Sequence, residues 1–419
     1  MHRWALAATA FALGCAIPSD DREPAAPTEG VPVATEIASP AAPGSGEPFL
    51  HVTEDGSVLL SWIEPDGEAA HRLRFARRDG EEWSDPVTIA AGGDWFVNWA
   101  DFPSLVELPG GDLVAHWLQR TGAGTYAYEV RVARSADGGR TWSEAVVPHD
   151  DGTETEHGFV SLFPDADGSA GVVWLDGREY AAPAGGEPPA DARMTLRFAR
   201  VGAEGRITSA GQLDDRVCDC CQTDVALTSQ GPVVAYRNRS PAEIRDVAVV
   251  RRVDGEWTAP ALVHADGWEI SACPVDGPAV AARGDRMAVA WFTAARDTAR
   301  VRIAFSEDAG ATFGPPVEVD GGAPIGRVDL ALLSDGHALV TWLEKVGPDA
   351  EIRARRVSPG GTAGPAARVA VASEARAGGF PRMAVSGERV LFAWSRPGEP
   401  AEVRVASAPL AAFPSGAGR

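Results

Sequence analysis

Four cysteines carry the sharpest chemistry in this chain. Cys218-Asp219-Cys220-Cys221 places three thiols within four residues, and Cys273 follows 52 residues after the last of them. Thiols this close pair as disulfides or hold a soft or borderline metal ion, and an even count in an exported chain favours pairing. Two readings therefore stand. In one, two disulfides pin the connection over 214–223, with a vicinal Cys220–Cys221 bond as one form. In the other, Cys218, Cys220, Cys221 and Cys273 join His157 around copper or zinc. Nothing else in the sequence requires a cofactor. Carboxylates form a second set. Asp101, Glu156, Asp176 and Glu269 are candidate acid–base groups, because glycoside hydrolysis needs two placed carboxyls or a tyrosine–carboxylate pair. Tyr180, beside Glu179, supplies such a tyrosine. Arg120, Arg178, Arg237, Arg239 and Arg327, with Asp329, are candidate ligand contacts. Lys345 is the only lysine, so positive charge comes as guanidinium groups, which make forked bonds to carboxylates.

These residues need elements to position them, and a sevenfold repeat provides them. An apolar strand ending in an aromatic recurs at Trp62, Trp117, Trp174, Tyr236, Trp291, Trp342 and Trp394, at intervals of 51 to 62 residues. Each unit reads as four short strands, which cannot bury both faces alone and so predicts the blade of a β-propeller. The expected fold is all-β, a single propeller over 48–412 with seven four-stranded blades, six being the alternative. Unit two takes its fourth strand from 142–148. Unit seven lacks one, and 31–37 can supply it and close the ring by pairing the two chain ends. In such a ring the connections between blades, and those between second and third strands, share one face. Every candidate above lies on that face, and units three to five concentrate them.

Two turns between third and fourth strands share a motif. Ser135, Asp137, Gly139 and Trp142 fit S-x-D-x-G-x-T-[WF], and Ser306, Asp308, Gly310 and Phe313 repeat it. The pattern resembles the Asp-box (BNR) repeat of sialidases and related propellers. That resemblance implies a propeller whose Asp-boxes lie on the face away from the ligand, and an activity built on arginines and a tyrosine with a carboxylate. Asp-box residues themselves are expected to serve the turn: a short Asp bonds local N–H groups and Gly supplies positive φ.

The 419 residues carry a formal charge of −21, which argues against nucleic acid, since phosphate binding depends on clustered Lys and Arg. A basic start and an apolar run over 4–14 end in Ala12-Leu13-Gly14-Cys15, which resembles a bacterial lipoprotein signal with Cys15 as the lipidated residue. The expected order is a signal peptide over 1–14, a flexible tether over 15–47, the propeller, and a disordered tail over 413–419. A monomer in the bacterial cell envelope follows, meeting the membrane only through its lipid. The expected function is binding of a glycan or protein ligand at the channel mouth. Glycoside hydrolysis of the exo-sialidase type is the alternative, and a metal or thiol site on the cysteines and His157 is a third.

Overall fold

In the computed structural model, residues 32–165, 167–182 and 186–416 are described. The signal segment, Cys15, the first part of the tether and residues 417–419 lie outside them. Seven antiparallel sheets follow one another around a ring. Their innermost strands are Gly46–Val52, Ser104–Glu107, His157–Pro164, Asp224–Thr228, Ala279–Arg283, Pro324–Leu332 and Arg382–Ser386. Second strands such as Val58–Pro65 and Ala170–Asp176 are buried on both faces. Each lies between two neighbouring blades, so both of its faces must be apolar.

The recurring aromatics end these second strands and are all buried. An arginine on the third strand stands opposite six of them: Arg74 on Trp62, Arg131 on Trp117, Arg197 on Trp174, Arg302 on Trp291, Arg353 on Trp342 and Arg404 on Trp394. Blade four breaks the pattern with Ala248 opposite Tyr236.

Two ends of the reading differ from expectation. Blade two has three strands, and over 142–148 only Val146 bridges back, to Val132. Pro148 has no N–H to continue a ladder. Phe413, placed at the start of the tail, is buried with its ring 6.1 Å from Phe392. The outer strand of blade seven is Thr35–Ile37, which pairs antiparallel with Glu402–Pro409 in the register Glu36 to Ala406.

The two S-x-D-x-G-x-T turns close on their own side chains. Ser135 Oγ accepts the Gly139 N–H at 2.8 Å, and Asp137 accepts the N–H and hydroxyl of Thr141 at 2.9 and 2.7 Å. Ser306 and Asp308 repeat these bonds with Gly310 and Thr312. Gly139 has φ +89°, and a Cβ there would lie 2.3 Å from the Phe75 ring. Gly139→Ala is therefore expected to cost about 2–3 kcal/mol, from left-handed strain plus overpacking. A denaturation midpoint unmoved by that change would contradict the account.

Candidate functional site

The channel mouth is built on a repeated bulge. Inner strands of blades one, three and six shift register at their start, and Glu47, Phe159 and Arg327 sit there with positive φ. A carboxyl from the preceding blade caps two of these bulges: Asp101 Oδ1 accepts Phe159 N–H at 2.7 Å, and Asp276 Oδ1 accepts Arg327 N–H at 2.8 Å. Glycines make the approach possible. A Cβ on Gly158 would lie 2.0 Å from Asp101, and one on Gly326 would lie 2.2 Å from Asp276. Two equivalent residues doing one job mark Asp101 as a staple between blades.

Asp101 has a second partner. The Tyr128 hydroxyl stands 2.9 Å from Asp101 Oδ2 and 2.9 Å from Glu156 Oε1. A phenol has one hydrogen to give and two carboxyls to face, so one carboxyl must bring its own proton. Burial supplies the reason. It pushes Asp101 up to about 7 against hydrogen bonds from Phe159 and Tyr128, and Glu156 up to about 8 with the Asp101 charge adding to it. Tyr128 is 1% exposed and stacks on Phe96 with centroids 3.9 Å apart, so no substrate reaches its oxygen.

The cysteines come together, with a correction to both readings. Cys220 and Cys273 form one disulfide, with Cα atoms 6.1 Å apart, and Cys218 and Cys221 are buried free thiols. There is no vicinal bond. The disulfide ties the connection entering blade four to the one entering blade five. His157 does not join the sulfurs, so the five-ligand copper or zinc set is not assembled. Asp219 organises the surface beside them. It accepts the Tyr180 hydroxyl at 2.6 Å, Arg239 at 3.0 Å and Arg245 at 3.4 Å, and both arginines also pair with Glu243. Tyr180 thus pairs with Asp219 and not with its neighbour Glu179, which faces Arg193.

His157 belongs to a separate cluster. Its Nε2 lies 3.1 Å from Asp151 Oδ2 and 3.7 Å from Asp176 Oδ2, while Nδ1 faces the carbonyls of Thr155 and Tyr128. Carbonyls only accept, so Nδ1 carries the proton. His149 stacks on His157 at 3.9 Å and bonds Asp151 at 2.9 Å through Nδ1. Ligand atoms of His149, Asp151 and His157 lie within 4.8 Å of one another, a spacing that fits a divalent ion. Asp151 already bonds both rings, but His149 Nε2 is buried without a hydrogen-bond partner. Burial alone would raise Asp151, but hydrogen bonds from His149, His157 and Thr153 hold it well below the usual carboxylate range. Burial opposes the charge on His157, and Asp151 with Asp176 more than restores it, so its pKa is raised.

Beside this cluster, between the connection leaving blade two and the outer part of blade three, opens a cleft of about 330 Å³. His149, Asp150, Trp174, Arg178, Arg197 and Phe198 line it. The central channel behind the mouth is a cavity of only about 50 Å³, walled by Phe49, Phe102, Phe159 and Phe380.

Several sequence candidates turn out to serve the scaffold. Arg237 is buried, its guanidinium spent on the carbonyls of Asp276, Arg245 and Phe292. Arg327 bonds the carbonyls of Gly379 and Ala375 and lies 5.0 Å over Trp99. Asp329 accepts the Met383 and Leu330 N–H groups. Asp176 accepts the Trp174 indole at 2.7 Å and a forked pair from Arg178 at 2.6 and 2.7 Å. Glu64 and Glu344 receive the Trp62 and Trp342 indoles in the same way. An acid two residues after the repeated Trp was thus a readable sign of a structural role. Glu269 is exposed and stands outside both clusters. Arg120 is exposed, its guanidinium 5.2 Å over Phe96. The sequence reading missed His149, Asp151, Tyr128, Arg197, Asp219 and Arg245. For the first two, His149-Asp150-Asp151 in a connection between blades was the available signal.

No family model matches this chain, and no curated protein does. Solved structures share the fold. A protein of unknown function from Dyadobacter fermentans is 15% identical over 87% of this chain and 94% of its own, with a TM-score of 0.50. Polysaccharide lyase Uly1 is 10% identical over 87% and 90%, with a TM-score of 0.51. The NanB sialidase from Streptococcus pneumoniae is 11% identical over 88% and 69%, with a TM-score of 0.45. At such identities the likeness is one of fold.

Proposed function

We propose that this propeller binds an acidic glycan in the cleft between blades two and three. One observation carries the reading. The cleft of about 330 Å³ is lined by Arg197, His149 and Asp150, with Arg178 held on Asp176 and with Trp174 and Phe198 buried in its wall. Small-molecule sites begin at about 300 Å³ and combine apolar walls with a few convergent polar groups. The Arg197 guanidinium suits a uronate or sulfate, while Arg178 is held in place by its forked pair with Asp176. The central cavity is too small for a sugar ring, which moves the ligand from the channel mouth to its rim. A polysaccharide lyase among the proteins of like fold supports a carbohydrate ligand.

Hydrolysis of the sialidase type has less support, because the Tyr128 hydroxyl is enclosed and that of Tyr180 is held by Asp219. The proposal extends to an exported protein of the bacterial envelope, anchored by lipid on Cys15 and acting as a monomer without a nucleic-acid partner. A formed disulfide is consistent with an extracellular or envelope setting.

Titration calorimetry with uronate-bearing and sulfated oligosaccharides tests the cleft. Arg197→Ala is expected to weaken binding about 10- to 100-fold, the worth of one charge-assisted hydrogen bond of about 1.5–3 kcal/mol. Its other partners are Thr195, Gln212 and, at 3.8 Å, Asp176, which Arg178 also holds, so circular dichroism of the variant is read beside its affinity. Equal affinity in the variant, or a folded wild type that binds none of the panel, overturns the reading. Turnover of a bound oligosaccharide would make the same cleft an active site.

A further inference from the structure

Neither sugar binding nor the propeller fold calls for two thiols packed against a disulfide. Sulfurs of Cys218, Cys220 and Cys273 lie within 4.8 Å of one another, and the buried Cys221 thiol lies near enough to Cys218 for each to shift the other's titration. Exposure is graded across the four. Cys273 is exposed, Cys220 half-buried, and Cys218 and Cys221 buried. Arg245 Nη1 stands 3.3 Å from Cys218 Sγ. Burial pushes the Cys218 thiol up, but hydrogen bonds from Cys221 and the Cys220 N–H, with the Arg237 and Arg245 charges, bring it down to about 7. The Cys221 thiol is pushed up, first by burial. A thiolate with its attacking pKa near ambient pH, beside a disulfide and a second thiol, has the parts for exchange.

We propose that Cys218 and Cys221 form a dithiol couple that exchanges with the Cys220–Cys273 disulfide, moving the oxidised pair between the buried and the exposed side of the mouth. The Cys218 thiolate attacks Cys220 Sγ. A Cys218–Cys220 bond forms as Cys220–Cys273 breaks, and the electron pair leaves on Cys273 as a surface thiolate. Cys221 then loses its proton and attacks Cys218. The Cys218–Cys221 bond forms, and Cys220 departs as a thiolate that takes up that proton. No electrons enter or leave, so no outside oxidant is needed for the shift itself. The Cys220/Cys273 pair, now a dithiol at the surface, is then open to a disulfide of another protein or of a small thiol. Its oxidation there would leave the chain with two disulfides and the partner with two thiols.

The whole chain, reduced and then reoxidised under native conditions with one equivalent of diamide, contains a single disulfide to be located. Samples held at pH 8, acid-quenched, alkylated in denaturant and mapped by mass spectrometry are expected to contain both Cys220–Cys273 and Cys218–Cys221. At pH 5, two units below the Cys218 value, the thiolate fraction and the exchange rate fall on the order of 100-fold. Arg245→Ala is expected to move the pH midpoint of exchange upward, which a purely structural arginine would not do. Cys273→Ser, which cannot form the surface disulfide, is expected to collect the Cys218–Cys221 bond instead. Cys220–Cys273 alone in wild type at pH 8, with Cys218 and Cys221 always alkylated as thiols, overturns the proposal and leaves them as buried packing residues.

Discussion

Arg237→Ala is expected to cost the fold on the order of 4–6 kcal/mol, enough to leave little or no folded protein at 37 °C. The side chain is 2% exposed and makes four hydrogen bonds, at 2.7 to 2.9 Å, to three main-chain carbonyls on two neighbouring blades. Removing it leaves those carbonyls buried and unpaired at about 1–3 kcal/mol each, and opens space beneath Trp268, whose ring it covers at 4.9 Å. Whole domains are stable by only about 5–15 kcal/mol. The backbone carbonyl of Arg237 also accepts the Cys218 N–H at 2.9 Å, so the cysteine connection loosens with it. Arg237→Lys recovers only part, because an ammonium cannot span the Asp276 and Phe292 carbonyls as the fork does. Urea denaturation of purified variants measures the loss, and one below about 1 kcal/mol would show that the carbonyls find other partners.

Thermal stability is expected to peak in weakly acidic solution and to fall as pH rises toward 8.5, by about 4 kcal/mol or more. Buried carboxyls cause this, and they outweigh His51 and His116. Burial lowers those two to about 4 and about 3, so that their contribution is lost as pH falls below the ordinary 6.5. Asp101 and Asp276 are held at about 7, each first by burial, from ordinary values of 3.8. Glu156 is held at about 8 from 4.5. A raised folded value means that the native state keeps a proton the unfolded chain has already lost. Their contribution is thus fully present below about pH 4 and is lost as pH climbs through 7 and 8. Asp151 and Asp176 act in the opposite sense. Hydrogen bonds and neighbouring cations hold them low against burial, so their contribution is present above the ordinary Asp value and is lost as pH falls below it. Calorimetry at intervals from pH 4 to 8.5 reads the profile. Asp276→Asn, which can still accept the Arg327 N–H, should flatten its alkaline side. A midpoint that is flat or rising between pH 5 and 8.5 would sink the account.

The same burial explains why some candidates could be read from the sequence and others could not. Loop membership follows from the repeat, so the sequence alone puts Asp101, Glu156, His157, Asp176, Tyr180 and the four cysteines on one face. The structure places them around the mouth of blades two to five. What each does there depends on neighbours far along the chain. Arg237 and Arg239 are two residues apart, yet one is locked under blade five and the other pairs with Asp219 and Glu243. Period-two alternation does not separate them, because both leave the same strand end toward the same face. Tyr180 sits beside Glu179 in sequence, but the short helical turn Arg178–Tyr180 directs its hydroxyl to Asp219, 39 residues on.

By itself, the sequence determined an all-β propeller and favoured seven blades over six, which the seven sheets bear out. That property is local and repeated: each unit carries its own strand alternation, its buried aromatic and its Gly/Asp turns, and no single unit can bury both faces without the next. Only the tertiary structure decided which sulfurs bond, that His157 pairs with Asp151 and stands apart from the cysteines, and that a cleft opens beside Arg178 and Arg197. Those outcomes are set by distances of a few ångströms between connections from different blades, and by which charges burial leaves without water. Spacing along the chain encodes neither.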